Sequence, residues 1–512
     1  MKKFFAIFLF VFAFTAYSQA QDKKLKQLDS YLKASFEQWH MPGMAVAVVQ
    51  DGKIVYQKGF GYLDWSKKKK ANPQTLYPIG SISKSFTALA LAQLVEEGKI
   101  DWKDKVKKYI PGLELYDRYV TDNITIEDLL CHRAGYATFS GDLLWYRTDY
   151  SVDDIIPRIK YLKPEFGFRD GFGYSNIMFL LAGKVVENVS GMTWQQYVAE
   201  NIFSPLNMEH SNTNVDLLKT DKNFAPGCMV SLDGKEEYVD YIPSGNIGAF
   251  GGINSSVADL ANYMIMYMNG GVFNGKKVID KKEIEYLWQV HNPLPVGAAQ
   301  KNLHPTRHFY GYGLGWFVYD QNGYKVVTHS GGMDGALSKL VMIPELNTGF
   351  VILTNSNNFI YSAMVEYFVD LFTGTKDIRD WNEFYLQRFK YYQDSYVRMK
   401  ERHKRVEGTK PSLPLEKYAG VYHDKMYGDV QVIYKDGKLS LHFVPAPYLD
   451  ASLTHWHYDV FELHFKNNLM AIPTQWGLAN FVLNEDGQIV KLKLTVPNYD
   501  FLFQELEFEK VK

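Results

Sequence analysis

The sequence predicts an α+β protein in which helices pack on an antiparallel sheet, followed by a small all-β domain. Three observations carry this. Strand-like apolar runs occur early, at Met44–Val49 and Ile54–Tyr56, and again late, at Lys325–His329, Leu337–Ile343 and Gly349–Thr354. Helical periodicity fills the interval, so N- and C-terminal segments are expected to pair in one sheet. A charged, aromatic-rich helical stretch from Asp377 to Arg405 then breaks at Gly408-Thr409-Lys410-Pro411-Ser412-Leu413-Pro414. Beyond it, short alternating runs with hairpin turns at Asp436-Gly437 and Asp486-Gly487 have the pattern of a small antiparallel barrel or sandwich.

From the N-terminus, Lys2-Lys3, the apolar run Phe4 to Tyr17 and the small-residue end Ser18-Gln19-Ala20 match a secretory signal peptide cut after Ala20. The run is shorter than the ~20 residues that span a bilayer, so a periplasmic or secreted protein with no stable membrane span is expected. Lys24 to Trp39 has helical periodicity, and the first two strand runs form a hairpin about Asp51-Gly52. An Ala/Leu-rich helix follows Ser81 and stops at Gly98. Another begins at Thr125, capped with Asp128 reaching back, and ends near His132-Arg133-Ala134-Gly135. Further helices are expected over Ile177–Val189, Val257–Met268 and Phe359–Phe372. The division is a leader over residues 1–20, a main domain over 21–375, a helical linker over 376–410 and a terminal barrel over 411–512.

At 512 residues, two folded domains are the natural prior. The 56 Lys+Arg and 57 Asp+Glu balance to −1, which gives no support to nucleic-acid binding or a polybasic membrane surface. The expected partner is a small molecule or peptide, with a homo-oligomer left open. Cys131 and Cys228 make no disulfide framework and are read as free, buried thiols, one bridge between them being the alternative. His455 and His457 share one face of a strand but lack a matched third ligand, so a metal is not expected.

The chemistry is concentrated in Ser81-Ile82-Ser83-Lys84. Residues three apart on a helix share a face, so the Lys84 amine reaches the Ser81 hydroxyl without tertiary help. Unpaired N–H groups at a helix start favour the negative charge that develops when a carbonyl is attacked. Alone, this pattern is also that of an N-cap serine and a solvated lysine. Two further stretches raise its weight: Gly173-Tyr174-Ser175-Asn176 before a helix, and Thr328-His329-Ser330-Gly331-Gly332 at the end of a strand.

Together these resemble the three motifs of the class C β-lactamase-like serine hydrolases, a family that includes D,D-peptidases, D-aminopeptidases and carboxylesterases. Leu129 to Gly135 is similar to the family's Leu-Leu-Thr-His-Thr-Ser-Gly segment, Pro205-Leu206-Asn207-Met208 to its Pro-Leu-Gly-Met, and Gly251 to Leu260 to its Gly-Gly-x-x-Ser-Thr-x-x-Asp-Leu. The resemblance spans about Lys24 to Thr375. It implies a β-lactamase/transpeptidase-like sheet and, from Pro411, a lipocalin-like barrel.

It also implies an acyl-enzyme mechanism with no metal or organic cofactor. Ser81 would be the nucleophile, and Lys84 or Tyr174 the base, with Tyr174 held partly as phenolate by Lys84 and His329. Asn176 would hold Lys84 and the substrate amide, the Ser81 and Gly332 N–H groups would form the oxyanion hole, and His329, Ser330 and Gly331 would line the substrate edge. β-Lactamases carry lysine at the position of His329, and histidine there is more like the peptidases and esterases. Small peptides, including D-amino-acid peptides, and acyl esters are therefore the expected substrates. β-Lactam hydrolysis ranks third, and a penicillin- or peptidoglycan-binding protein that acylates with little turnover is the alternative.

Overall fold

A computed structural model describes residues 21–64, 69–218, 220–230, 235–243, 245–467 and 475–511. The leader lies outside these. Helix α1 (residues 21–38) leads into the hairpin β1 (Gly43–Gln50) and β2 (Lys53–Asp64), followed by the short β3 (Lys69–Lys70). Three helices of the middle region matter for the site: α2 (Ser83–Glu96), α3 (Asn176–Ser190) and α4 (Val257–Met268). Six more strands follow: β4 (Asn292–Leu294), β5 (Tyr310–Tyr312), β6 (Phe317–Gln321), β7 (Tyr324–Met333), β8 (Ala336–Ile343) and β9 (Thr348–Thr354). They join β1–β3 in one nine-stranded sheet of order β4-β5-β6-β7-β8-β9-β1-β2-β3, with β1 antiparallel to β9 through pairs such as Val46 with Ile352.

Period-two alternation sorts β1 between two apolar layers. Ala45, Ala47 and Val49 join the core beneath α2, α3 and α4. Met44, Val46 and Val48 join the core beneath α1, α5 (Ile360–Thr373) and α6 (Trp381–Glu401). Both faces are covered, and all eight β1 residues are buried. Strands β4, β5 and β6 at one end of the sheet were not foreseen from sequence, because runs of three to five residues are too short to show an alternation.

Helix α6, expected as a linker, packs into that second core. Trp381 is 2% exposed and donates its indole N–H to Asp370 Oδ2 at 2.9 Å, and Phe389 meets Trp39 at 6.1 Å. Eight strands from Gly420–Asp424 to Phe508–Lys510 then close an antiparallel barrel. Asp436 and Gly437 adopt the left-handed backbone that their two-residue hairpin needs. The barrel docks on the main domain through Asp149 N–H to Pro445 O at 2.9 Å, Tyr150 Oη to Tyr427 O at 2.7 Å and Gly141 N–H to Glu505 Oε2 at 3.0 Å. Both cysteines are buried and free. His455 and His457 are occupied by Tyr458 O and the Val406 N–H. Among the described residues no helix is long and apolar enough to cross a membrane.

Removing the Trp381 indole leaves a cavity and takes the donor from Asp370 Oδ2, while Oδ1 keeps Thr375 and Gln321. Trp381→Ala is expected to cost about 3–5 kcal/mol, read as a lowered unfolding midpoint in thermal or urea denaturation.

Candidate active site

Helix α2 is apolar around its whole circumference, and every residue from Ser83 to Leu94 is buried. A lysine on such a helix has no route to water, so Lys84 is 0% exposed. Ser81 sits one turn earlier in a 3₁₀ turn, Gly80–Ile82, rather than in the α-helix itself, and its side chain makes no cap. It is partly exposed in a cleft.

Three groups surround the Lys84 amine: Ser81 Oγ at 2.9 Å, Asn176 Oδ1 at 2.6 Å and Phe250 O at 3.2 Å. The amide and carbonyl oxygens can only accept, whereas a hydroxyl can also donate. A neutral amine fits this set completely: two N–H groups donate to Asn176 and Phe250, and the lone pair accepts the Ser81 proton. Burial drives the Lys84 pKa well below the ordinary lysine value, with the charge of Asp142 opposing. Burial also lifts Asp142 well above the usual carboxylate range. Asp142 Oδ2 accepts from Asn176 Nδ2 at 2.6 Å, so Asn176 is clamped between Lys84 and Asp142.

Asn176 is free for that task because Ser175 caps α3, accepting from Met178 N–H at 3.3 Å. The Ser175 N–H in turn donates to His132 Nδ1 at 3.0 Å, and His132 lies against the Tyr174 ring at 4.2 Å. Tyr174 therefore stands over Lys84, whose amine is 4.7 Å from its ring centroid. Burial raises the Tyr174 phenol above its ordinary value, and an interaction with the Ser81 hydroxyl offsets part of this.

The expectation that His329 helps to hold a Tyr174 phenolate is not met. His329 Nδ1 faces Ser330 O at 2.7 Å, an acceptor, so Nδ1 carries the proton; Nε2 then accepts from Tyr312 Oη at 2.9 Å. Burial and the Lys84 charge push its pKa down to about 3. The imidazole is neutral and both its nitrogens are used. Strand β7 passes close to the nucleophile turn: Gly80 has φ +50°, and a β-carbon there would lie 2.6 Å from Gly332 N. At Gly331 a β-carbon would lie 1.8 Å from Ile79 O. Only glycine permits this approach, which sets Gly332 N beside the Ser81 turn.

The cleft is a cavity of about 810 Å³ that takes in Ser81, Tyr174, Asn176, His329, Ser330, Gly331 and Gly332. Lys84 lies beneath its floor. Asp142, His132 and Tyr312, which complete the polar network, were not singled out from sequence; His132 lay inside a quoted segment, while Asp142 and Tyr312 carried no local signal. The far wall includes Phe389, Tyr392 and Tyr396 of α6 and Asp500 and Phe501 of the barrel.

A sheet of this order with a serine, a buried lysine and a tyrosine meeting beside one of its inner strands is the fold of β-lactamases and penicillin-binding proteins. The chain belongs to the Beta-lactamase family, whose family model matches residues 28–370; residues 404–510 match a domain of unknown function, DUF3471. It is 28% identical over 434 residues to the unguisins hydrolase ungD' of Aspergillus campestris, covering 79% of this chain and 77% of that protein. It is 29% identical over 350 residues to Protein flp of Staphylococcus aureus, covering 67% of this chain and 65% of that relative, just under two thirds of its length. The octameric penicillin-binding protein homologue from Pyrococcus abyssi shares the fold, with a TM-score of 0.61 at 24% identity over 95% of this chain and 100% of that one. Members of this family are generally serine hydrolases.

Burial and the nearby Asp334 charge raise the Asp500 carboxyl to about 6. An acid whose folded pKa exceeds its unfolded value keeps its proton longer when folded, so stability falls as pH rises from about 4 through 6. Asp500→Asn is expected to leave stability unchanged below about pH 4 and raise it by about 3 kcal/mol above pH 7, measured by denaturation across pH.

Proposed function

We propose that the protein is an exported serine hydrolase that forms an acyl-enzyme on Ser81 with small peptides or acyl esters. The single observation that carries this is the Lys84 environment: a buried amine with two acceptors for its N–H groups and the Ser81 hydroxyl facing its lone pair at 2.9 Å. Export rests on the leader-like residues 1–20.

In this reading Lys84 takes the Ser81 proton as Oγ attacks the carbonyl carbon. The oxyanion is received by the N–H groups of Ser81 and Gly332, which the glycine contacts hold together. The lysine, now an ammonium beneath the Tyr174 ring, supplies the proton that the neutral Tyr174 phenol passes to the departing amine or alkoxide. Cleavage of the carbonyl–leaving-group bond leaves the Ser81 ester. Water then attacks that ester, giving its proton to Lys84, and the serine hydroxyl is restored. Of the two bases the sequence left open, Lys84 is favoured because burial works toward the basic form of an amine and against the basic form of a phenol. Asn176 and Asp142 hold the amine's position.

The neutral, doubly bonded His329 bears on the substrate. A lysine at that place would anchor a carboxylate, and an uncharged imidazole does not. That favours peptides and esters over β-lactams, whose ring carboxylate needs such an anchor.

Purified protein is offered a D-Ala-D-Ala peptide, an acyl ester and a cephalosporin, with turnover and intact mass followed together. Ser81→Ala is expected to lower turnover by about 10⁴-fold or more and to abolish any adduct. Turnover surviving that change sinks the nucleophile, and a lasting adduct without product shows an acylating binder instead.

A pH profile checks the base. Rate is expected to rise with pH as Lys84 loses its proton, at a value below the ordinary lysine range. His329 contributes no step near neutrality, so His329→Gln is expected to keep the shape of the profile between pH 5 and 8.

A further inference from the structure

The cleft has a second end, away from Ser81, where two parts of the chain beyond the hydrolase core meet. One is a stripe of α6, Phe389, Tyr392 and Tyr396, spaced to share a helix face. The other is the barrel segment Tyr499-Asp500-Phe501. Tyr499 stacks on Tyr392 at 5.8 Å and meets Tyr396 edge-on at 5.3 Å, while Phe501 lies 4.0 Å from Tyr146. Asp500, between Tyr499 and Phe501 in the chain, lines the cavity with Phe501.

Asp500 behaves differently from a carboxylate that braces its own loop. Asp424, in the same barrel, accepts the backbone N–H groups of Met426, Tyr427 and Glu507. At the Tyr499 turn that bracing is done by Asn498 Oδ1, which accepts from the N–H groups of Asp500 at 3.0 Å and Phe501 at 2.5 Å. The Asp500 carboxylate accepts no hydrogen bond and joins no ion pair among the described residues. The charge that acts on it is the repulsive one of Asp334, which is itself matched by Arg147 Nη2 at 2.6 Å. The Asp500 carboxylate is half-buried with no counter-charge among the described residues, an arrangement that bracing the loop does not require.

We propose that this end of the cleft is a cation subsite, in which Asp500 among Tyr392, Tyr396 and Phe501 receives an ammonium or guanidinium group of the substrate. The carboxylate supplies the charge and the aromatic faces add cation–π attraction in a partly desolvated place. The apolar walls take the hydrocarbon that carries the cation, and a substrate anion at the same place meets repulsion from Asp500. The substrate class is thereby narrowed to esters or amides bearing a positively charged nitrogen, whether an α-amine or a side-chain one. The assignment rests on the hydrolase reading, since the cation is that of a substrate.

Binding is tested without turnover, on the full-length Ser81→Ala protein, by calorimetric titration with benzylammonium and with benzyl alcohol. The ammonium is expected to bind about tenfold more tightly, and Asp500→Asn is expected to remove the difference. Equal affinity for the two probes before that substitution overturns the subsite, and so does a preference that survives it. If the protein hydrolyses nothing, the hydrolase reading fails while this result stands, so the two failures are distinguishable. A second arm uses p-nitrophenyl esters of glycine, 4-aminobutanoate and 6-aminohexanoate against their uncharged alkanoyl counterparts. An advantage in kcat/KM that peaks with glycine marks recognition of an α-amine, and one that peaks with a longer chain marks a side-chain amine; both support the subsite. No advantage at any length removes its role in substrate selection.

Discussion

The buried Lys84 amine is the constraint on which the site depends. Its helix leaves it no solvent, and an isolated ammonium in such surroundings would be costly. The fold meets this by bringing acceptors to it from two places distant in sequence: Asn176 at the start of α3 and the Phe250 carbonyl before α4. Neither would be in place without its own support. Ser175 caps α3 so that Asn176 need not, Asp142 fixes the amide of Asn176, and His132 fixes the Ser175 backbone. The Ser81 hydroxyl inherits its geometry from this chain of contacts, because it faces the Lys84 amine at 2.9 Å.

The local parts of that arrangement were legible in the residues. The i, i+3 spacing of Ser81 and Lys84, the start of a helix after Asn176 and the Gly-Gly end of β7 each need only short-range geometry, although the cap of that helix is Ser175. The α+β class followed from alternation at both ends of the main domain, and β1 does pair with β9. What stayed hidden was tertiary. Asp142 lies in a Gly-Asp-Leu-Leu run that any turn could contain, and its role exists only because α3 crosses beside it. Tyr312 is one of 36 tyrosines, and only the sheet register sets its hydroxyl 2.9 Å from His329 Nε2. The Ser330 carbonyl fixes the histidine's tautomer, and the Tyr312 hydroxyl then occupies the remaining nitrogen.

The two later segments are more than an appendage to the hydrolase core. Sequence showed α6 as a charged, aromatic helix, but its mean character concealed a stripe that is buried at Trp381, Phe389 and Tyr396. That stripe seals the sheet's second face with one end and walls the cleft with the other. The barrel adds the segment after its seventh strand, held by Asn498 and by the Glu505 contacts to Ser140 and Gly141. Because Ser140 and Gly141 immediately precede Asp142, the docking of the barrel and the clamp on Asn176 share one turn of chain.

Charge in the cleft follows from these placements. Arg147 is matched by Asp334, while burial works against charge on Lys84 and Asp142 and leaves His329 neutral. The carboxylate of Asp500 is then the charge with no counterpart among these groups. In the proposed reading, selectivity comes from neutral hydrogen bonding at the strand edge beside His329 and from the far wall. The same arrangement keeps the Lys84 lone pair available, since a fixed cation beside it is absent from these contacts and the partial charges that face it belong to acceptors that orient its two N–H groups. On the same proposed reading, nucleophile activation rests on buried bases held neutral on one side of the cleft, and recognition of a substrate cation on the Asp500 carboxylate on the other.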